Sequence, residues 1–386
     1  MNIERNDKES WVRNSEKKYQ MMVNFVNLSY VIIFFFIFLL TWYKLEFFNL
    51  FSSISFILFS ANIILLVLHL PLIISKRINL FFFNVILFIV MLLNAIISNS
   101  NLGSSIVLFN VVIMIVIFRF FSFKEKSIKV ISMVMLVYFI FYCFLQMEPF
   151  NTNTKGYIIL LTYIYSTFYL STLKFKRIMI ALISCFAFYA IQLTDSRGAL
   201  LGLILFILLA FLIPSKVWGN KKGVGLINVV LTIGSLIFVY TYIHLWENRF
   251  SISLDFTDKP LFTGREAIWT ELFYSFKEHP MVGLGSNYDI LSYGNLNVHN
   301  SMFNILVIYG TPVLLLVLVL IWKSLMNLSD GIINVNFVRI AVSGFYSVLL
   351  VGFFETNLLW ASNIFPALFL IAIAYSSNKK IEFYNH

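Results

Sequence analysis

Long apolar runs alternate along the chain with short charged or turn-rich breaks. Each run is about 17 to 25 residues, the length of a helix crossing a bilayer and longer than the strands of an outer-membrane barrel. The pattern predicts twelve spans, at 25–43, 51–73, 78–97, 102–121, 128–146, 156–172, 177–193, 198–214, 224–246, 300–322, 332–352 and 358–376. The expected fold is all-α, a polytopic integral membrane protein of about 12 transmembrane helices with one large extracytoplasmic loop. It divides into a cytoplasmic N-terminal segment (1–24), nine spans (25–246), the loop (247–298), three spans (299–376) and a cytoplasmic tail (377–386).

Composition agrees, since 60% of the 386 residues are hydrophobic and 12% charged, too little polar surface to cover a soluble fold. With the N-terminus inside, 21 of the 28 basic residues fall on cytoplasmic segments. Seven (Lys44, Lys155, Arg197, Arg249, Lys259, Arg265 and Lys277) stay outside, which sets the orientation by the positive-inside rule. The net charge of +10 then faces anionic lipid headgroups and requires no nucleic acid. The first apolar run is too long for a signal-peptide core and carries no small-residue cleavage site. Cys143 and Cys185 both fall inside apolar runs, so neither a disulfide framework nor a metal site is indicated.

The loop stands apart from the other, mostly short connections, and loops of that length are commonly lids or binding loops. Within it Thr263-Gly264-Arg265-Glu266 reads as a capping box opening a helix to about Glu278. Ile268, Trp269, Leu272, Phe273 and Phe276 share one face. Such a helix is too short and charged to span, and is expected to lie on the outer leaflet with Arg265 pointing away from the lipid. His279-Pro280 ends it. Gly283-Leu284-Gly285 then reads as a flexible return rather than a phosphate-cradling loop, because no strand precedes it.

Arg197, in Thr194-Asp195-Ser196-Arg197-Gly198, sits at an outer junction between two spans. An ionisable residue there suggests function, against the plainer readings of a snorkelling arginine or a pair with Asp195. Arg265 poses the same choice against a solvated helix face. His299, in Val298-His299-Asn300-Ser301, lies at the outer mouth of the tenth span, where a hydrogen-bonded interfacial histidine is the alternative. His69, His244 and His386 lack comparable company and read as structural. Glu355, in Phe354-Glu355-Thr356-Asn357, lies on the outer side, where it orients a cation or sugar or, more simply, pairs with a neighbour. The chain carries no glycosidase carboxylate pair, no HExxH or cysteine cluster and no serine nucleophile elbow.

In order, Asp195-Ser196-Arg197-Gly198, Gly264-Arg265 with Ile268-Trp269, His279-Pro280-Met281-Val282-Gly283-Leu284-Gly285 and His299-Asn300-Ser301 resemble the O-antigen ligase and Wzy-type polymerase superfamily of bacterial envelope glycosyltransferases. The motifs cover about residues 190 to 310. The resemblance implies a GT-C-like, inverting, metal-independent enzyme without cofactors in the cytoplasmic membrane of a bacterium. Its donor is a polyprenyl-pyrophosphate-linked oligosaccharide used on the outer face, its acceptor a glycan, and polysaccharide export proteins are further partners. It also implies that Arg197 and Arg265 bind the pyrophosphate and that His299 is the base; Asp195, His279 and Glu355 are secondary candidates from the residues themselves and are not carried over from the resemblance.

The chemistry is coherent, because guanidinium groups neutralise charge growing on a leaving pyrophosphate and a neutral imidazole accepts the proton of the attacking hydroxyl. A polymerase that lengthens capsular, exopolysaccharide or O-antigen-like glycans is the leading expectation. A ligase using a different acceptor shares every one of these residues. A lipid-linked oligosaccharide flippase or transporter is the rival from another class, but such proteins usually show related halves and midplane charges, and this chain shows neither.

Overall fold

A computed structural model describes residues 2–42, 51–98, 100, 102–145, 151–248, 264–291 and 298–384. Thr263, His386 and the stretches 249–263 and 292–297 of the long loop lie outside the described residues. The described chain is helical: α1 (Asn2–Trp42), α2 (Phe51–Ile97), α3 (Leu102–Ile117), α4 (Glu125–Leu145), α5 (Thr152–Leu170), α6 (Lys176–Gln192) and α7 (Arg197–Ile207). There follow α8 (Ser215–Trp218), α9 (Lys221–Glu247), α10 (Arg265–Glu278), α11 (Ser301–Met326), α12 (Ser329–Asn334), α13 (Asn336–Val351) and α14 (Ala361–Tyr384). A 3-10 turn extends α3, a π turn (Leu208–Leu212) extends α7, and another 3-10 turn precedes α14.

Six stretches are long and apolar enough to cross a membrane, the first being Lys18–Leu39 within α1, and four shorter apolar helices accompany them. Among the described residues the expected spans fall largely on helix, with non-helical Val335 and Trp360 inside the eleventh and twelfth, and those at 156–172 and 177–193, on α5 and α6, are not among these ten stretches. The helix that carries the first span begins well before it, since α1 runs from Asn2 to Trp42. Lipid-facing surface is supplied by exposed Phe25, Phe36, Ile64, Ile96, Phe141 and Ile237, where a water-soluble protein would carry polar groups.

Spans two and three share the single run α2, yet the chain reverses within it. Phe59 packs 6.3 Å and Phe88 4.5 Å from the Phe109 ring, so the two rings lie within about 11 Å of each other, whereas 29 residues of straight helix would separate them by about 44 Å. The reversal lies between Phe59 and Phe88, a stretch that contains Pro71 and the charged pair Lys76 and Arg77.

The centre of the bundle is α5, which packs against α4, α6, α7 and α13. Three of its side-chain hydroxyls are absorbed locally: Thr162 donates to Ile158 O at 2.8 Å, Ser166 to Thr162 O at 2.6 Å and Thr167 to Ile164 O at 2.6 Å. Small residues let the helices close on one another. A Cβ added at Gly202 of α7 would meet Val351 at 2.8 Å and Leu160 at 2.9 Å, and Ser347 donates to Gly202 O at 2.7 Å.

Gly310 (φ 80°, ψ 171°) breaks α11, and Pro312 has no N–H to offer the Ile308 carbonyl. The carbonyls of Val307 and Ile308 accept instead from Leu284 N (2.7 Å) and Gly285 N (3.1 Å), while Thr311 N donates to Pro280 O (3.0 Å). From the end of α2, Asn94 donates to both Val282 O and Tyr309 O. The segment expected as a flexible return is therefore a fixed backbone-to-backbone seam. A Cβ at Gly283 would meet Ile308 O at 2.6 Å and one at Gly310 would meet Met281 O at 2.3 Å.

Candidate active site

At the end of α13 the chain turns through Gly352–Phe354 and delivers Glu355, only 5% exposed, among the ends of α5, α10 and α11. Its carboxylate is a hub. Oε1 accepts from Arg265 Nη2 at 3.1 Å and from Asn153 of α5, and Oε2 meets His299 Nδ1 at 3.1 Å. Burying a carboxylate is costly unless it is paired and hydrogen-bonded, and here three donors from three separate parts of the chain meet that requirement.

Arg265 is the first residue of α10. Gly264 before it takes the left-handed conformation (φ 89°), and the Glu266 carboxylate accepts from Gly264 N at 3.0 and 3.1 Å. The expected Thr263 N-cap is thus replaced by Gly264, with the acid reaching back from one position closer. The apolar face of α10 is not given to lipid. Ile268, Trp269, Leu272 and Phe276 are buried, and Trp269 packs edge-on against Phe238 (6.0 Å) and Tyr242 (5.0 Å) of α9. That packing turns Arg265 inward to Glu355 rather than out to solvent.

His299 has a left-handed backbone (φ 50°), and among the described residues only Asp195 (φ 56°) shares positive φ without being glycine. Such a conformation persists only where the surroundings impose it, and the surroundings here are explicit. The Trp269 indole donates to Val298 O at 2.6 Å. Asn300 caps α11 by accepting from Phe303 N at 2.9 Å, donates to Phe353 O at 3.0 Å and accepts from Ser235 at 3.1 Å. Ser301 N donates to Gly352 O at 2.8 Å, and its hydroxyl to Glu355 O at 2.9 Å. These bonds stitch the turn carrying His299 to the turn carrying Glu355.

A carboxylate can only accept, so the ring proton of a neutral His299 lies on Nδ1. The Nε2 lone pair is then the basic one. Among the described residues no group of three or more His, Cys, Asp or Glu side chains could hold a metal ion.

Arg197 opens α7 beside this cluster, although the carboxylate is held by Arg265, His299 and Asn153. Its neighbours fix its place: a Cβ on Gly156 of α5 would strike Ser196, and one on Gly198 would meet the Phe354 ring at 3.2 Å. Asp195 is exposed and forms the left-handed turn leading into α7. His279 is not brought to the site, because it caps the far end of α10, about 20 Å along the helix from Arg265. Asn153 escapes a reading by motif, the available signal being the polar run Asn151–Lys155 at an outer junction.

Residues 180–318 match the family model described as O-Antigen ligase. The matched stretch contains Arg197, Arg265 and His299, while Asn153 and Glu355 lie outside it. The match supports placement in the O-antigen ligase and polymerase superfamily, and with the apolar helices it indicates a multi-pass membrane protein of glycosyltransferase-like function. No curated protein and no solved structure matches the chain.

Proposed function

We propose that this protein is a polysaccharide polymerase, joining polyprenyl-pyrophosphate-linked oligosaccharide units on the outer face of the cytoplasmic membrane. The observation that carries the reading is the Glu355 carboxylate shared between Arg265 and His299. Glu355 holds the imidazole with Nε2 free to take a proton, and it holds a guanidinium of which one nitrogen is bonded while other N–H groups remain for a phosphate.

In the reaction an acceptor hydroxyl attacks the anomeric carbon of the donor glycan as its proton passes to His299 Nε2. The bond from that carbon to the pyrophosphate oxygen breaks, polyprenyl pyrophosphate leaves, and the anomeric centre inverts. Arg265 and Arg197 neutralise the charge growing on the leaving oxygens, which suits catalysis without a metal. A ligase passing the same donor glycan to a different acceptor fits the same geometry, and the description of the matched family favours it. A flippase or transporter would leave the buried Glu355 cluster without a purpose.

The test is turnover by purified protein in nanodiscs, given authentic lipid-linked repeat units and no added metal. A ladder of longer lipid-linked glycans that disappears in His299→Ala supports the polymerase and its base. No ladder from the repeat units alone, with transfer appearing when a different acceptor glycan is supplied, moves the assignment to ligase, and an unaffected variant removes His299 from the chemistry.

A further inference from the structure

A cleft of about 630 Å³ lies between α6, the π turn after α7, and α13, within the usual size range of ligand pockets. It is far from Glu355. Arg197 and Glu355 sit at one end of α7 and α13, whereas the cleft takes Phe211 and Arg339 from the other, about 20 Å along those helices. The two sites therefore belong to opposite faces of the bundle.

The cleft has two characters. Ile180, Ala181, Ile207, Phe211 and Leu212 make its walls apolar, while Lys176, Arg177 and Arg339 bring three positive charges and, among the described residues, no carboxylate lines it. Among the described residues the Nε of Arg339 is buried without a hydrogen-bond partner, and its Nη2 donates to Asn336 Oδ1 at 3.0 Å. The helices that begin here, α6 and α13, are 17 and 16 residues long, and neither N-cap, Phe175 nor Val335, offers a side-chain acceptor. Uncapped helix starts present partial positive charge and unsatisfied N–H groups. The surface of α6 continues apolar and exposed through Ile178, Leu182 and Phe188.

Three cations, two uncapped helix ends and a buried guanidinium nitrogen without a partner call for a phosphate oxygen, and the apolar walls call for a chain of methylenes. We propose that the cleft binds an anionic glycerophospholipid of the leaflet opposite the glycan site, its phosphate held by Lys176, Arg177 and Arg339 and an acyl chain lying between α6 and the π turn. The occupant is a lipid rather than a soluble anion because the walls that continue from the cations are those presented to the bilayer. The proposal is independent of the chemistry at Glu355.

The test uses the full chain in phosphatidylcholine nanodiscs and in detergent, with phosphatidylglycerol added. Native mass spectrometry should show phosphatidylglycerol retained over phosphatidylcholine by about 30- to 100-fold, the scale expected of two or three cations near a lipid phosphate, with a higher unfolding temperature. The double variant Lys176→Gln/Arg177→Gln, at exposed positions, should lose that preference while unfolding normally in phosphatidylcholine. Ala181→Phe should lose it by filling the acyl slot with every charge in place. Equal retention of the two lipids, retention unchanged in both variants, or an equal stabilisation by inorganic phosphate would overturn the proposal.

Discussion

Replacing Glu355 with glutamine separates two roles of the carboxylate. The wild-type side chain accepts on both oxygens, two donors on Oε1 and His299 Nδ1 on Oε2. An amide has one acceptor and one donor end, so it can be placed in two ways. If its NH₂ faces Arg265 and Asn153, donors meet donors and each unmatched group costs about 1–3 kcal/mol. If its NH₂ faces His299 instead, the imidazole relieves the conflict by moving its proton to Nε2. The second arrangement wins on energy, and its stability cost is the lost charge on Arg265. That side chain is 21% exposed, so the cost is about 1 kcal/mol after allowance for solvent screening.

The activity consequence is much larger, because Nε2 then holds a proton and cannot accept one. A comparable carboxylate-to-amide change in a serine protease triad costs about 10⁴-fold, and a loss of about 10³- to 10⁴-fold in turnover of lipid-linked glycan is expected here. Nitrogen-15 spectra of labelled histidine should show His299 protonated at Nε2 in the variant and at Nδ1 in the wild type. Turnover within about tenfold of wild type, or an unchanged tautomer, would refute the reasoning; an unfolded variant would be replaced by Glu355→Asp, whose shorter side chain should also fail to reach both partners.

Arg265→Lys keeps the charge but not the fork geometry, and should lower turnover by about 10²-fold with little change in unfolding temperature. Trp269→Phe retains the buried ring and removes the bond to Val298 O, at about 1 kcal/mol in chemical denaturation with a further loss of turnover as His299 loosens. Gly310→Ala should destabilise by more than about 2 kcal/mol, since its Cβ would strike Met281 O in a left-handed conformation. Gly225→Ala, whose Cβ would meet only Met326 Sδ at 3.8 Å, should leave unfolding unchanged or raise it by about 1 kcal/mol through helix propensity.

The helix positions were legible because the bilayer imposes both length and apolarity on each crossing. Lys76 and Arg77 separated two apolar runs in the sequence, and the reversal inside α2 falls between Phe59 and Phe88 on either side of them. The length of α10 was legible too, but not the direction of its apolar face, because one amphipathic pattern suits lipid and protein equally. The deciding partners, Phe238 and Tyr242, come from another helix. Glu355 read as a secondary residue because its worth depends on donors far away in sequence, Arg265 at 90 positions and Asn153 at 202. His279 was drawn toward the site by closeness along the chain, which a rigid helix converts into distance.

The enclosure of α5 bears on how the protein is made. Isolated in a membrane, this segment would expose four tyrosines and the hydroxyls of Thr162, Ser166 and Thr167 to hydrocarbon, and intramembrane polar groups of that kind partition poorly. When α5 leaves the ribosome, only α4 of its main neighbours exists; α6 and α7 follow, and α13 arrives more than 160 residues later. The insertion machinery must therefore shelter α5 or admit it paired with α4. The proposed glycan site, which takes Asn153 from the start of α5 and Glu355 from beyond α13, is completed only once the turn after α13 has been made, so a chain that stops before Glu355 is expected to be inactive.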